Sequence, residues 1–133
     1  PTRGTSAVDS FKAALYLTTA TYNAATTAYA ATGEVSGTGY TAGGVAVTMG
    51  TVPTATNSST TAGVAFVTPS ASITYTTVTL ATAFDAVLIY NSTQSNKAVS
   101  VHTFGSQTVT AGTFTLTMPS NTTTTALIRL ATT

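Results

Sequence analysis

The chain of 133 residues has no cysteine, no tryptophan and very little charge: four Lys or Arg, three Asp or Glu, and one His. Without cysteine there is no disulfide framework, no thiol nucleophile and no thiolate metal site. Oxidising and reducing compartments both tolerate such a chain, so its redox environment is left open. The four cations (Arg3, Lys12, Lys97 and Arg129) are scattered. Phosphate-directed nucleic-acid binding draws on clustered Lys and Arg, so no nucleic-acid partner is expected. No apolar run approaches the roughly 18 residues of a membrane span, and no membrane partner is expected either. Nothing resembles a secretory signal, with its basic start and apolar core. Removal of a Met ahead of Pro1 is the simplest account of the start, and it implies synthesis in a cytoplasm.

What is present is threonine and alanine, 35 and 22 residues respectively. Disordered chains usually combine low hydrophobicity with high net charge; here the formal net charge is +1 and 43% of residues are hydrophobic. A folded, soluble, single domain spanning residues 1–133 is therefore expected. Soluble domains usually carry about a quarter of their residues as charges, whereas this one carries 5%. Its surface must be tiled with Thr, Ser, Asn, Ala and Gly. A net charge near zero favours association, which suits a subunit packed against copies or neighbours.

The patterning is that of strands, in which the branched β-carbon of threonine fits well. Phe11, Ala13, Leu15 and Leu17 alternate with Lys12, Ala14 and Tyr16. Val45, Val47 and Met49 alternate with Ala46 and Thr48, and Phe114, Leu116 and Met118 with Thr113, Thr115 and Thr117. Residues 84–90 read as a strand buried on both faces, and residues 97–104 as its hairpin partner across the polar loop 91–96. Residues 63–67, 72–80 and 126–130 are further strands. Turns are expected at 105–107 and 111–112, a loop at 122–125, and a polar surface loop at 53–63. Pro53 and Pro69 fall at strand borders, where a missing N–H does least harm. About eight short strands predict an antiparallel β-sandwich or jelly roll. Asp9 or Ser10 offers a cap for a short helical turn within residues 6–14, and residues 24–31 hold helix-forming alanines, weakened by Thr26, Thr27 and Tyr29.

Catalysis needs convergent ionisable groups, and few are available. His102 is the sole imidazole, beside Ser100 and Phe104 on a strand, and no Gly-x-Ser-x-Gly elbow accompanies it. A structural or interfacial histidine is the better reading, and no catalytic residue is assigned. Asp9, Glu34 and Asp85 are the only carboxylates. They are widely spaced, and none sits in a calcium-loop pattern. Asp9 reads as a cap, Asp85 as a strand-border residue and Glu34 as a loop residue, so no metal or cofactor is expected. Three Asn-x-Ser/Thr triplets, at Asn57, Asn91 and Asn121, are what chance gives in so Ser/Thr-rich a chain.

The most distinctive stretch is residues 33–44, with glycine at 33, 37, 39, 43 and 44. Phosphate-cradling loops need Lys followed by Ser/Thr, or Gly-x-Gly-x-x-Gly opening a helix. Here Gly37-Thr38-Gly39 runs into Tyr40 and Thr41, and a strand follows. A nucleotide is excluded, and a long loop with positive φ angles is expected. Ordering so many glycines is costly. We therefore expect the loop to be held either by another subunit, with Gly37, Gly39, Tyr40, Gly43 and Gly44 at the interface and Tyr40 as anchor, or by Tyr40 closing it over its own core.

Residues 34–44, Glu-Val-Ser-Gly-Thr-Gly-Tyr-Thr-Ala-Gly-Gly, resemble a signature of small virion proteins of tailed bacteriophages. The likeness continues in Asp9-Ser10-Phe11-Lys12, in residues 86–91 with Lys97-Ala98-Val99, in Gly112-Thr113-Phe114-Thr115, and in Ala126-Leu127-Ile128-Arg129. Members of that family carry a Trp-Ser-Asn-Ala-Thr-like strand where this chain has Ile73-Thr74-Tyr75-Thr76-Thr77-Val78, so a property tied to that tryptophan does not carry over. The resemblance implies a non-enzymatic virion structural protein. At this length it fits a capsid decoration (cement) protein on the capsid exterior, made in a bacterial host. It would clamp neighbouring major capsid protein subunits as a homo-oligomer, commonly a trimer. The alternative is a tail- or fibre-associated protein that binds a host glycan, with Tyr16, Tyr22, Tyr29 and Tyr40 as stacking surfaces.

Overall fold

The computed structural model describes residues 8–49, 54–58 and 61–131. Among them lie seven strands and no helix: β1 (Phe11–Leu17), β2 (Val45–Val47), β3 (Thr54–Ser58), β4 (Thr61–Val67), β5 (Ile73–Asn91), β6 (Lys97–Leu116) and β7 (Ile128–Ala131). They form two sheets in the orders β2-β1-β5-β6 and β3-β4-β7, and every pairing is antiparallel. The all-β, two-sheet class is as the alternation predicts. The eight-stranded double Greek key of a jelly roll is not seen in these seven strands.

The largest departure from expectation is that two pairs of short strands are each one long strand. Residues 72–80 and 84–90 belong to β5, 19 residues long, and β6 runs for 20 residues. The turns expected at 105–107 and 111–112 are irregularities inside β6. Bulges let a strand bend without leaving its ladder. The β5–β6 register shifts four times between Tyr75 and Ala86, and Thr77 and Ala111 take positive φ angles of 52° and 44°. Phe114, whose Cα partner is Tyr75, lies 5.0 Å from Phe84 between ring centroids. Nine residues of straight strand would separate Tyr75 from Phe84 by about 30 Å, so the hairpin doubles back on itself.

That fold-back supplies both layers of the main core. Ala13, Leu15, Val87 and Ile89 from one half pack with Ile73, Tyr75, Val78 and Leu80 from the other, and Phe84 sits among them. The opposite face of β1 and β5 holds a second core of Ala14, Tyr16, Ala86, Leu88 and Tyr90, covered by Ala20, Tyr22 and Tyr29. β1 is thus buried on both faces, which explains its apolar Ala13-Ala14-Leu15-Tyr16 run, all 0% exposed.

Three other expectations are corrected. Residues 54–58 form β3 where a loop was expected, paired with β4, which contains the expected strand 63–67 and starts at Thr61; the exposure of Thr54, Ala55 and Thr56 explains why β3 lacks an apolar face. No helical turn precedes β1, because Phe11 already pairs with Val47 and Asn91; residues 6 and 7 of that expected turn, and Pro53, lie outside the described residues. Residues 24–31 hold no helix: there is a turn at 24–25, and Ala28 is bridged to Lys97. The loop at 91–96 is as expected: the Asn91 side-chain oxygen accepts from the N–H groups of Thr93 (3.0 Å) and Gln94 (3.1 Å), a turn geometry typical of asparagine.

Candidate functional site

The glycine loop leaves β1 and returns to it. At one end, Val35 N–H donates to Leu15 C=O (3.0 Å) and Leu17 N–H to Gly33 C=O (2.9 Å). At the other, β2 pairs with Phe11–Ala13. Between these, β1 has no strand neighbour on that side, and two tyrosine hydroxyls take its place. Tyr40 Oη accepts from Leu15 N–H (3.0 Å), and Tyr75 Oη donates to Ala13 C=O (2.8 Å). A buried backbone group left unpaired is expensive, so these two tyrosines complete the edge of β1.

The middle of the loop lies against the β5 corner. Thr38 and Thr79 form an isolated bridge, with Thr79 N–H donating to Thr38 C=O at 2.9 Å. The approach is so close that a Cβ at Gly37 would stand 2.0 Å from Thr79 O, and one at Gly39 would stand 2.3 Å from Thr77 O. At Gly44, where φ is +76°, a Cβ would come within 1.7 Å of Ala13 O. Three of these glycines are therefore required by backbone packing within the chain itself.

Glu34 is the hub. Its Oε1 accepts from Tyr40 Oη–H and from Gly43 N–H, both at 2.7 Å, and its Oε2 accepts from Tyr29 Oη–H at 2.7 Å. Gly43 is buried, and its carbonyl accepts from Tyr90 Oη–H at 2.8 Å. Tyr16 Oη–H donates to Ala30 C=O at 2.7 Å, and Tyr22 reaches Ala30 and Thr32 at 3.3 and 3.2 Å. Rings stack in pairs: Tyr16 on Tyr22 at 3.6 Å, Tyr29 on Tyr90 at 4.8 Å, Tyr40 on Tyr75 at 5.9 Å. Tyr29, Tyr40, Tyr75 and Tyr90 thus hold the loop itself, while Tyr16 and Tyr22 hold the chain just ahead of it at Ala30 and Thr32. Burial pushes the phenols of Tyr16, Tyr40, Tyr75 and Tyr90 above their ordinary pKa, and that of Tyr29 up to about 12, with the Glu34 hydrogen bond adding to the effect at Tyr29. They are kept neutral, as donors to a carboxylate and to carbonyls must be.

The structure thus brings Gly37, Gly39, Tyr40, Gly43 and Gly44 together with Glu34, Tyr29, Tyr75 and Tyr90. Within the chain, Tyr40 closes the loop over its own core, one of the two ways foreseen to order it. Glu34 was read from sequence only as a loop residue. The signal available was a lone carboxylate in an otherwise uncharged, apolar stretch, which must find donors if it is buried.

The remaining ionisable groups lie elsewhere. Asp9 accepts from Asn91 Nδ2 (3.0 Å) and Gln94 Nε2 (3.1 Å), tying the start of β1 to the β5–β6 turn. His102 Nε2 is 3.0 Å from Ser100 Oγ, and burial pushes the imidazole below its ordinary pKa. Among the described residues no three His, Asp or Glu side chains are placed to hold a metal ion.

Comparison with protein families, with curated proteins and with solved structures finds no match to this chain.

Proposed function

We propose that the protein is a structural subunit of a bacteriophage particle, a capsid decoration protein that binds and braces neighbouring major capsid protein subunits from the outside. The observation that carries this reading is the commitment of Glu34. Glu34 has both oxygens engaged by three structural donors, so it serves as a rigid strut. Three of its roughly four acceptor sites are spent on holding the loop, which leaves little of it for the work of a general base or a cation ligand.

The rest of the surface fits a packing role. The exposed faces of β5 and β6 present Thr74, Thr76, Thr103, Thr108, Thr110, Thr113 and Thr115. Such a surface has little charge to desolvate on contact. Hydroxyls supply neutral hydrogen bonds, each worth about 1 kcal/mol net. A standard interface removes about 1,600 Å² from water, and repetition around a shell multiplies weak contacts by avidity.

The tail-associated, glycan-binding alternative rested on exposed tyrosines. Tyr16 is 0% exposed and Tyr40 points into the core, while Tyr22 and Tyr29 each spend one ring face on another tyrosine. No observation favours that alternative.

The test is reconstitution. Purified protein added to shells of the corresponding major capsid protein, assembled without it, should co-sediment at a fixed ratio and raise the temperature at which the shells come apart. Failure to co-sediment contradicts the reading.

A further inference from the structure

β6 is the terminal strand of its sheet. Its inner edge pairs with β5. Its outer edge is closed at the start, where Ala98 N–H donates to Thr27 C=O and Tyr29 N–H donates to Asn96 C=O, each at 2.9 Å. Beyond Ala98, no described residue makes a backbone hydrogen bond to that outer edge. The sheet's other edge differs, since β2 has only three residues.

Exposed strand edges invite another strand, and proteins usually guard them with charge, proline or bulges. From Val99 to Leu116, β6 contains no Lys, Arg, Asp, Glu or Pro. Its register shifts fall beside Val99, between Thr103 and Gln107, and repeatedly from Gln107 to Phe114. The first two leave Ser100, Val101, His102 and Thr103 between them in unbroken register against Ile89, Leu88, Val87 and Ala86. At the head of that regular run stands Val99, 43% exposed, one of three large apolar side chains on the described surface.

We propose that residues 99–104 form a strand-addition site for a second copy of the chain, the two β6 strands pairing antiparallel about a two-fold axis. A two-fold contact sets a patch against itself, and this run matches itself well. Val99 of each copy falls at the Thr103–Phe104 end of the other, an apolar and β-branched pairing that sheets favour. Charge selects the same arrangement. Lys97 is the nearest cation, and antiparallel pairing sends the two lysines to opposite ends, whereas parallel pairing would set them side by side. The run offers no charge for a charged foreign strand to pair with.

So short a run makes few hydrogen bonds against the freedom lost on association. The pair is therefore weak in dilute solution and fills where copies are held close. This inference goes beyond the capsid reading, because strand addition belongs to the isolated protein. It also assigns two-fold symmetry, where the resemblance implied a trimer.

Sedimentation equilibrium over a wide range of protein concentration tests it, together with amide hydrogen exchange at the two extremes. The mass should rise from one chain toward two, and the amides of residues 99–104 should exchange more slowly at high concentration. The double variant V99K/T103K sets like charges along the edge and should weaken the pairing by about ten-fold or more, with the melting temperature of the dilute protein unchanged. A mass of one chain throughout, a limiting mass of three chains, or protection confined to other strands overturns the proposal. So does undiminished pairing in a folded V99K/T103K. Should that variant unfold, the concentration dependence of exchange in the unaltered protein decides alone.

Discussion

Gly44 passes so close to Ala13 that a β-carbon added to it would lie 1.7 Å from the Ala13 carbonyl oxygen. That contact fixes where the glycine loop lands on β1. It also sets the position from which Tyr40 reaches the Leu15 N–H.

Gly44→Ala should therefore be severely destabilising. The left-handed backbone alone costs about 1–2 kcal/mol with a β-carbon, and the opposing atom is backbone, which cannot swing away. Gly105→Ala is the matched control: a β-carbon there meets nothing within 4 Å, and removing a strand glycine gains about 0.5–1 kcal/mol. Urea denaturation of both variants checks the contrast. Equal effects would mean that the loop does not bear on β1 as described.

Removing the hub's donors one at a time separates hydrogen bonding from packing. Tyr40→Phe keeps the ring but strands the Leu15 N–H and takes a donor from Glu34, a loss of about 2–3 kcal/mol. Glu34→Gln puts an amide N–H₂ where donors converge and should cost about as much or more. The double variant should lose less than the sum of the two, because the pair shares one hydrogen bond. Additive losses would contradict the shared network.

Phe114 closes the doubled-back hairpin against Phe84, Phe104 and Tyr75. Phe114→Ala should cost about 3 kcal/mol and couple strongly to Phe84→Ala in a double-mutant cycle. Independent effects would show that the two halves of β5 are not packed together.

Alkaline pH should unfold the protein with a defined sign. A tyrosine whose pKa is raised by folding stabilises the fold fully below the unfolded value of about 10. That contribution is lost as pH rises through the folded value, about 12 for Tyr29 and raised likewise for Tyr16, Tyr40, Tyr75 and Tyr90. The urea midpoint should fall from about pH 10 upward, and most tyrosinate absorbance should appear together with loss of the fold. Tyrosinate forming gradually while the circular dichroism stays native would contradict the burial of the network.

The alternation at Phe114–Leu116 was legible because one face is turned inward and the threonines outward, and period-2 patterning reports burial directly; Phe11–Leu17 was legible as a strand although both of its faces are buried, because its short run is apolar on both. The continuity of β5 and β6 was not. The irregularities around Gly105 and at Ala111–Gly112 look like turns in a one-dimensional pattern, since glycine is a common turn residue, and nothing in the pattern joins 72–80 to 84–90. β3 escaped notice because its described side chains, Thr54, Ala55 and Thr56, are exposed and leave no apolar signature. The glycine loop was found by composition, but Tyr75 and Tyr90, which meet it from β5, lie 31 or more positions further along the chain than Gly44. Only the fold-back brings them together.

The claim that this chain decorates a capsid is tested most directly by electron cryomicroscopy of the intact particle that carries it. The account predicts density fitting the doubled-back β5–β6 hairpin at many symmetry-related positions on the outer capsid surface, touching neighbouring capsid subunits. Density for this fold confined to the tail, or absent from the particle, would contradict it.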